Sequence, residues 1–503
     1  MKHTRILAAL CAALMAVSLA ACGGKPENPG SSPSSGDAGS APSTTAESTT
    51  TGATDDTQAE GSTTGNASTS KNGTTKSTSK TAGTASEVKK DITIKKGSKP
   101  MENGLNFGGK TFTMTLWSAP ETSTKRTIQA FETKFNCKIN IKVFSFNTFN
   151  SQVSAHVAAG NKADISQMHG SMFPTGAITN LYQPLEDVIT TADLYNSKNM
   201  KAGGIDLEKS KGFAWNNHLY GVCGYYSINP YLIFYNKKMF QDAGLEDPRT
   251  LYEQNKWTWD KLIEMGKDVT DPKTGIYLAD ASFREKFIVQ ANDTSYVKYE
   301  NNVPKENLTD PKVYNGLKLL QNICVGQNKI VNTEVGGGTD PEPFYNGNVY
   351  MYAQESFAYY NFAKAIPSKA AFGRSLNNLG IVPVPLGPDN KRGAYPTGWL
   401  TSYCSGRGSD PRVAVAWARF SSYYVDPVKP EISFSDKDNK LIESLIKTIS
   451  YPNYGFADSS ITADTISHNI EGAVMKGEDI AKVLNTWRNP LQNCITATLS
   501  EQG

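Results

Sequence analysis

This 503-residue sequence predicts a mixed α/β body preceded by a long unstructured arm. Three observations carry that reading. From Lys110 onward, apolar residues recur alternately at a period of two and at spacings of three and four, the signatures of strands and helices in succession. About 390 residues follow Lys110, enough for two α/β lobes with their own cores. Between Cys22 and Val88 there is no Val, Ile, Leu, Met or aromatic residue, so that stretch cannot offset its chain entropy and stays disordered. Composition narrows the function as well. Lys and Arg total 51 against 48 Asp and Glu, a formal charge of +3, which argues against a nucleic-acid binder.

In chain order, Lys2 and Arg5 precede an apolar run from Ile6 to Leu19 and then Ala20 and Ala21, the pattern of a signal peptide over 1–21. Leu19-Ala20-Ala21-Cys22 resembles the bacterial lipobox, which implies a diacylglycerol thioether on Cys22 and further acyl lipid such as palmitate. Residues 22–95 then read as a Ser/Thr/Gly-rich tether. About 70 such residues reach roughly 45–50 Å as a random coil. Beyond the first two dozen positions no run of ~18 apolar residues is present to span a membrane.

In the body, 96–503, Lys110 to Trp117 alternates as a strand, and Pro120 and Glu121 open a helix with Ile128, Phe131 and Phe135 on one face. Lys138 to Phe144 alternates again, a helix runs from Phe149 to Ala159 and stops at Gly160, and Ala163 to Ile165 reads as a third strand. This order opens a parallel-sheet domain. Leu232 to Tyr235, Val349 to Tyr352 and Ile381 to Val384 read as strands. Helices are expected at Lys237–Ala243, Trp259–Met265 with Thr258 as N-cap, Pro311–Ile323, Pro411–Tyr424, Leu441–Ile449 and Ile480–Trp487.

Catalytic and metal signatures are thin. Gly104 to Thr111 fits G-x4-G-K-[ST], but Lys110 and Thr111 begin a strand where a phosphate loop requires a helix. There is no HExxH and no GxSxG, and His156 and His468 read as structural or surface residues. Asp436 to Asn439 lacks the rest of a calcium loop. Cys137, Cys223, Cys324, Cys404 and Cys494 show no CxxC spacing, so no metal or redox motif is expected. The chain is instead rich in aromatics, with Trp117, Tyr225, Tyr226, Tyr231, Phe357, Tyr359, Tyr360 and Trp399 near strand ends or turns. Flat rings there suit the C–H faces of sugars.

Four stretches in order carry a resemblance to the extracellular solute-binding proteins, family 1, of bacterial ABC importers. They are Ala158 to Ile165, Leu181 to Asp187, Leu219 to Val222 with Phe234 to Leu245 and Trp257 to Asp260, and Phe344 to Met351 followed by Leu379 to Pro385. The resemblance implies a two-lobed, maltodextrin-binding-protein-like (type II) fold closing at a hinge. The lobes would be approximately 105–223 with 398–445 and 224–397 with 446–503. In open α/β sheets ligands bind at the C-terminal ends of strands, so the resemblance implies Trp117, Ser118, His169 and Ser171 in one lobe. Tyr225, Tyr226 and Asn229 would lie in the first crossing, Glu355 and Phe357 after the Met351 strand, and Trp399 at the second crossing. Trp257 and Trp259 would be structural.

The implied function is a lipid-anchored protein on the outer face of the cell membrane, monomeric and without cofactor. It would capture a neutral solute, an oligosaccharide first, for an ABC permease, and no catalytic residue is expected. A peptide, polyamine or other small solute on the same scaffold is the alternative. A cell-surface hydrolase or a sensory lipoprotein are rivals of another class.

Overall fold

The computed structural model describes residues 92–503 apart from 197–202, 225–227, 285–286, 301–302, 337–339, 429–431, 449–462 and 501–503. All belong to the second of two units of the chain, Lys80–Gly503. The signal segment, Cys22 and the arm through residue 91 lie outside the described residues, as do Tyr225 and Tyr226.

Strand β1 (Lys110–Leu116) buries Phe112, Met114 and Leu116 at alternate positions. Helix α1 (Thr122–Phe135) brings Ile128, Phe131 and Phe135 onto that face. Strand β2 (Cys137–Val143) runs parallel to β1 from Lys110↔Cys137 to Leu116↔Val143. Helix α2 (Phe149–Ala158) is followed by Gly160 at φ +84°, a conformation that favours glycine after a helix. Gly108 and Gly109 also hold positive φ and turn the chain into β1, so no helix follows the phosphate-loop look-alike.

Strand β3 (Ile165–His169) completes the parallel trio, with Met114 opposite Ile165. It begins two residues later than Ala163. The Asp164 carboxylate accepts the Thr113 N–H at 2.8 Å, so a side chain stands where ladder pairing was expected.

The second half contains β6 (Ile228–Asn236), α3 (Lys237–Asp242), α4 (Pro248–Glu253), α5 (Trp259–Val269), β7 (Tyr277–Asp280), α6 (Phe287–Ala291), α7 (Pro311–Cys324), β8 (Val331–Asn332), β9 (Val349–Glu355), α8 (Ala358–Ala365) and β10 (Leu379–Pro383). Short strands β4 (Tyr182–Gln183) and β5 (Gly221–Val222) precede them, and β11 (Thr397–Gly406) follows. Asn236, Asp247, Thr258 and Asp310 each accept an N–H of the following helix, which explains where these helices start. The chain ends in α9 (Pro411–Tyr423), α10 (Asp436–Thr448), α11 (Ala463–Met475) and α12 (Ile480–Ser500).

Eleven strands make one sheet, in the order β8-β7-β9-β6-β11-β3-β1-β2, with β10 against β6 and with β4 and β5 against β11. On one half Phe112, Met114 and Leu116 pack with α1 and with Val413, Trp417 and Phe420 of α9. On the other, Leu232 and Phe234 pack with Tyr352, Phe362, Leu441 and Leu445. The opposite face of β6, Tyr231, Ile233 and Tyr235, joins a cluster with Leu262, Phe287 and Leu317.

Three helices differ from expectation, and the first, α5, runs on past Met265 to Val269. Helix α10 starts at Asp436 rather than Leu441, because the Ser435 hydroxyl accepts the Asp438 N–H at 3.2 Å. Helix α12 continues past Trp487 through Pro490 to Ser500. Proline costs a helix one hydrogen bond, but Leu484, Leu491 and Ile495 are all buried and continue one apolar stripe, which outweighs that loss. Trp257 and Trp259 are buried, and the Trp257 indole donates to Pro383 O at 2.8 Å. Cys137, Cys223, Cys324 and Cys404 are free thiols, all of them buried.

Candidate functional site

One strand organises the site. Antiparallel to β3, β11 sets Thr401 opposite His169 and Cys404 opposite Ser166. On its other edge it pairs first with β5, Cys404 opposite Gly221, and then with β6, Trp399 opposite Asn229. Between Thr397 and Trp399 the register with β6 shifts, a local irregularity of the kind that bends a strand. The pairing of β11 therefore passes from one half to the other within two residues. With strands spaced roughly 4.8 Å apart and a rise of about 3.3 Å per residue, the backbones at His169 and Asn229 flank β11 about 12 Å from each other.

The β1–β3 side is a wall of rings. Trp117 follows β1 and is half-buried. It meets Phe146 edge-on at 5.8 Å between centroids, Phe149 at 6.1 Å and His169 at 6.3 Å. Phe146 in turn contacts the buried His169 at 5.4 Å. Edge-to-face pairs of this kind add about 0.5–1.5 kcal/mol each beyond area burial, so the wall holds its own shape. Ser118 is exposed beside it, and Ser171 lies in the turn Gly170–Met172 directly after β3.

The β6–β9 side is built on hydrogen bonds. Asn229 Oδ1 accepts the Ser356 hydroxyl at 2.9 Å, and Ser356 N donates to Pro230 O at 3.0 Å. Glu355, buried at the end of β9, stands opposite Tyr231 in the ladder, and the Tyr231 ring meets Phe287 at 5.1 Å. Phe357, at the N-cap of α8, is 38% exposed and Tyr360 one turn on is 44% exposed. Between them Tyr359 is turned inward, stacked on Phe434 at 4.0 Å with its hydroxyl donating to Ser433 O. Burial and the charge of Glu121, at the N-cap of α1, hold the Tyr360 phenol above its ordinary value.

Beneath this side two polar groups are buried. Asp280 accepts Ser282 N at 2.9 Å through Oδ1, and the Ser282 hydroxyl accepts Ala353 N at 3.0 Å. Among the described residues its Oδ2 has no hydrogen-bond partner, and burial pushes the carboxyl up to about 7. The Gln290 side-chain amide, in α6, is buried, and among the described residues neither its oxygen nor its nitrogen has a partner.

Of the residues expected from the sequence, Trp117 and His169 are in mutual contact, while Asn229, Glu355 and Trp399 are brought to adjoining strands. Phe146, Ser356 and Tyr360 were not expected as site residues. Phe146 was detectable as the first ring beyond the second parallel strand, and Ser356 as the residue between Glu355 and Phe357. Among the described residues no group of three or more His, Cys, Asp or Glu could hold a metal ion. No helix among them is long and apolar enough to cross a membrane.

Residues 126–429 match the profile of a family described as bacterial extracellular solute-binding protein, and the chain belongs to that family. No protein with a curated description matches it. Solved structures share the fold. An ABC substrate-binding protein of Listeria monocytogenes in complex with cycloalternan is 16% identical, with a TM-score of 0.58 over 77% of this chain and 99% of that one. The galacto-N-biose/lacto-N-biose I-binding protein of Bifidobacterium longum, in complex with lacto-N-biose, is 13% identical, with a TM-score of 0.57 over 79% and 99%. The GacH receptor of Streptomyces glaucescens, solved unliganded and with acarbose, is 17% identical, with a TM-score of 0.54 over 76% and 99%. At these identities the likeness speaks for the fold, a two-lobed α/β architecture.

Proposed function

We propose that this member of the bacterial extracellular solute-binding family captures a neutral oligosaccharide between its two lobes and delivers it to an ABC permease, without making or breaking a bond. The observation that carries the reading is the handover along β11, which draws the ring wall of Trp117, Phe146 and His169 and the polar side of Asn229 and Ser356 to one strand. Rings offer faces to sugar C–H groups, and neutral amide and hydroxyl groups suit sugar hydroxyls. Glu355 closes β9, and Ser171 and Asn229 are neutral. The sugars held by the fold's relatives, cycloalternan and lacto-N-biose, support the solute class. Closure is favoured by a solute that touches both sides, and the permease reads the closed form. In this reading Cys22 carries the lipid, and the arm lets the body reach away from the membrane surface.

A thermal-shift panel on the full chain tests it, with cycloalternan, lacto-N-biose, maltotetraose, short peptides and polyamines as probes. A ligand at 100 times its Kd adds about 2.7 kcal/mol of stability. We expect a shift with one oligosaccharide that is recovered unchanged. A shift with peptides or polyamines alone would replace the solute, and appearance of a cleaved sugar would overturn the transport reading. Labelled palmitate incorporated into the wild type but not into Cys22→Ala would support the anchor.

A further inference from the structure

Asp280 ends β7 with a carboxyl group that the fold seals but does not satisfy. It is fully buried, and while Oδ1 accepts Ser282 N at 2.9 Å, Oδ2 has no hydrogen-bond partner among the described residues. The chain after β8 covers it. Asn332 stands beside Asp280 in the parallel ladder, Ala281 N donates to Val335 O at 3.1 Å, and the Asn332 side chain accepts Glu334 N at 3.1 Å. Gly336 then lies so close over Asp280 that a Cβ there would overlap Oδ2, and its φ of +72° suits glycine. The surrounding charges do not favour an ionised form. Asp340 adds a like charge, Glu334 is exposed, and Glu355 at the end of β9 is a further carboxylate. The buried residues of α5, packed along β7, carry no charge. On α11, Glu471 accepts the Tyr296 hydroxyl and His468 is exposed. Strands β7, β8 and β9 run parallel and end at Asp280, Asn332 and Glu355. Residues 333–336 therefore stand at the C-terminal edge, where open α/β sheets take their ligands.

We propose that Asp280 is a proton-operated latch: with its carboxyl protonated, residues 333–336 stay seated over the end of β7, and ionisation releases them. A buried carboxylate without a counter-charge is costly, and lifting Gly336 off this one admits water to it. The proton passes to solvent as the turn opens. The sign follows from a carboxyl raised to about 7 against 3.8: closure is favoured at low pH and is lost as pH rises through about 7. Opening of one turn leaves the core intact, so it lies well below global unfolding in cost. The latch acts before any solute arrives and stands apart from the sugar reading.

Hydrogen–deuterium exchange of the full chain without solute, at pH 6 and pH 8 and corrected for the intrinsic pH dependence of exchange, tests the latch. In the wild type, peptides spanning 280–283 and 331–336 should lose protection roughly fivefold or more at pH 8, while 111–116 in β1 should not change. Asp280→Asn keeps the shape without the charge, and its protection at pH 8 should stay within about twofold of that at pH 6. Gly336→Ala, whose Cβ would overlap the carboxyl, should show at pH 6 the lowered protection that the wild type shows only at pH 8. That variant and the wild-type pH series decide the matter even if Asp280→Asn does not fold. Equal wild-type protection at the two pH values, the same fall in Asp280→Asn, or Gly336→Ala as protected as the wild type at pH 6 would overturn the latch.

Discussion

The two sides of the candidate site are built by different physics. On the β1–β3 side Trp117 is clasped by the edges of Phe146, Phe149 and His169, with Phe149 fully buried. On the β6–β9 side Asn229 and Ser356 are fixed by a hydrogen bond, and the rings of Phe357 and Tyr360 are 38% and 44% exposed. The first side is shaped by the same contacts that hold the fold together. The second leaves more of its ring surface open, although Tyr360 still meets Phe434 edge-on at 6.1 Å. Substitutions on the wall should therefore cost folding and binding together, and substitutions of the half-exposed rings after β9 should cost mainly binding.

The largest effect should come from Phe149→Ala. Removing a fully buried ring costs about 3–5 kcal/mol, readable in urea unfolding, and Trp117 would lose one of its supports. A loss under ~1 kcal/mol would break the comparison, because the wall would then not be part of the core. Next is Asp280, beneath the second side. Its carboxyl titrates near 7 in the folded protein against 3.8 as its ordinary value, so the native state holds the proton more tightly than the unfolded chain. Stability contributed by that proton is present at low pH and is lost as pH rises from about 4 through about 7. Asp280→Asn should flatten this slope and raise stability at pH 8 by roughly 2–4 kcal/mol, checked by urea unfolding at pH 5 and pH 8. A variant that follows the wild-type slope would contradict the assignment.

Smaller again is Gln290→Leu. A buried amide with no partner costs about 1–3 kcal/mol, so its removal should raise the melting temperature, whereas a fall would mean the amide is paired in solution. Phe357→Ala sharpens the contrast most economically. Its stability should stay within about 0.5 kcal/mol of wild type, while oligosaccharide affinity should drop at least tenfold, about 1.4 kcal/mol. If it unfolds as readily as Phe149→Ala, the two sides do not differ.

Much of the fold was legible because long periodic stretches leave little choice. The alternation of Phe112, Met114 and Leu116 and the spacing of Ile128, Phe131 and Phe135 each bury one face only if the element is a strand or a helix, respectively. What escaped was decided by single side chains. Asp164 spends its carboxylate on a neighbouring strand and so delays β3. Pro490 reads as a helix stop, yet Leu491 and Ile495 keep the helix on the core.

The site divides in the same way. Trp117 and His169 follow from the rule that ligands gather at the ends of parallel strands, and the structure puts their rings in contact. Tyr360 was visible only as one aromatic among many. Its neighbours Tyr359 and Phe434, 75 positions apart, had to be brought together before one tyrosine was seen to turn in and the other out.

The central claim, a solute held by both sides at once, is tested most directly by hydrogen–deuterium exchange of the full chain with and without cycloalternan, lacto-N-biose or maltotetraose. At least one of these should protect backbone amides in both 115–120 with 165–172 and 229–232 with 353–360. Protection confined to one of the two sets, or none from any of the three sugars, would contradict it.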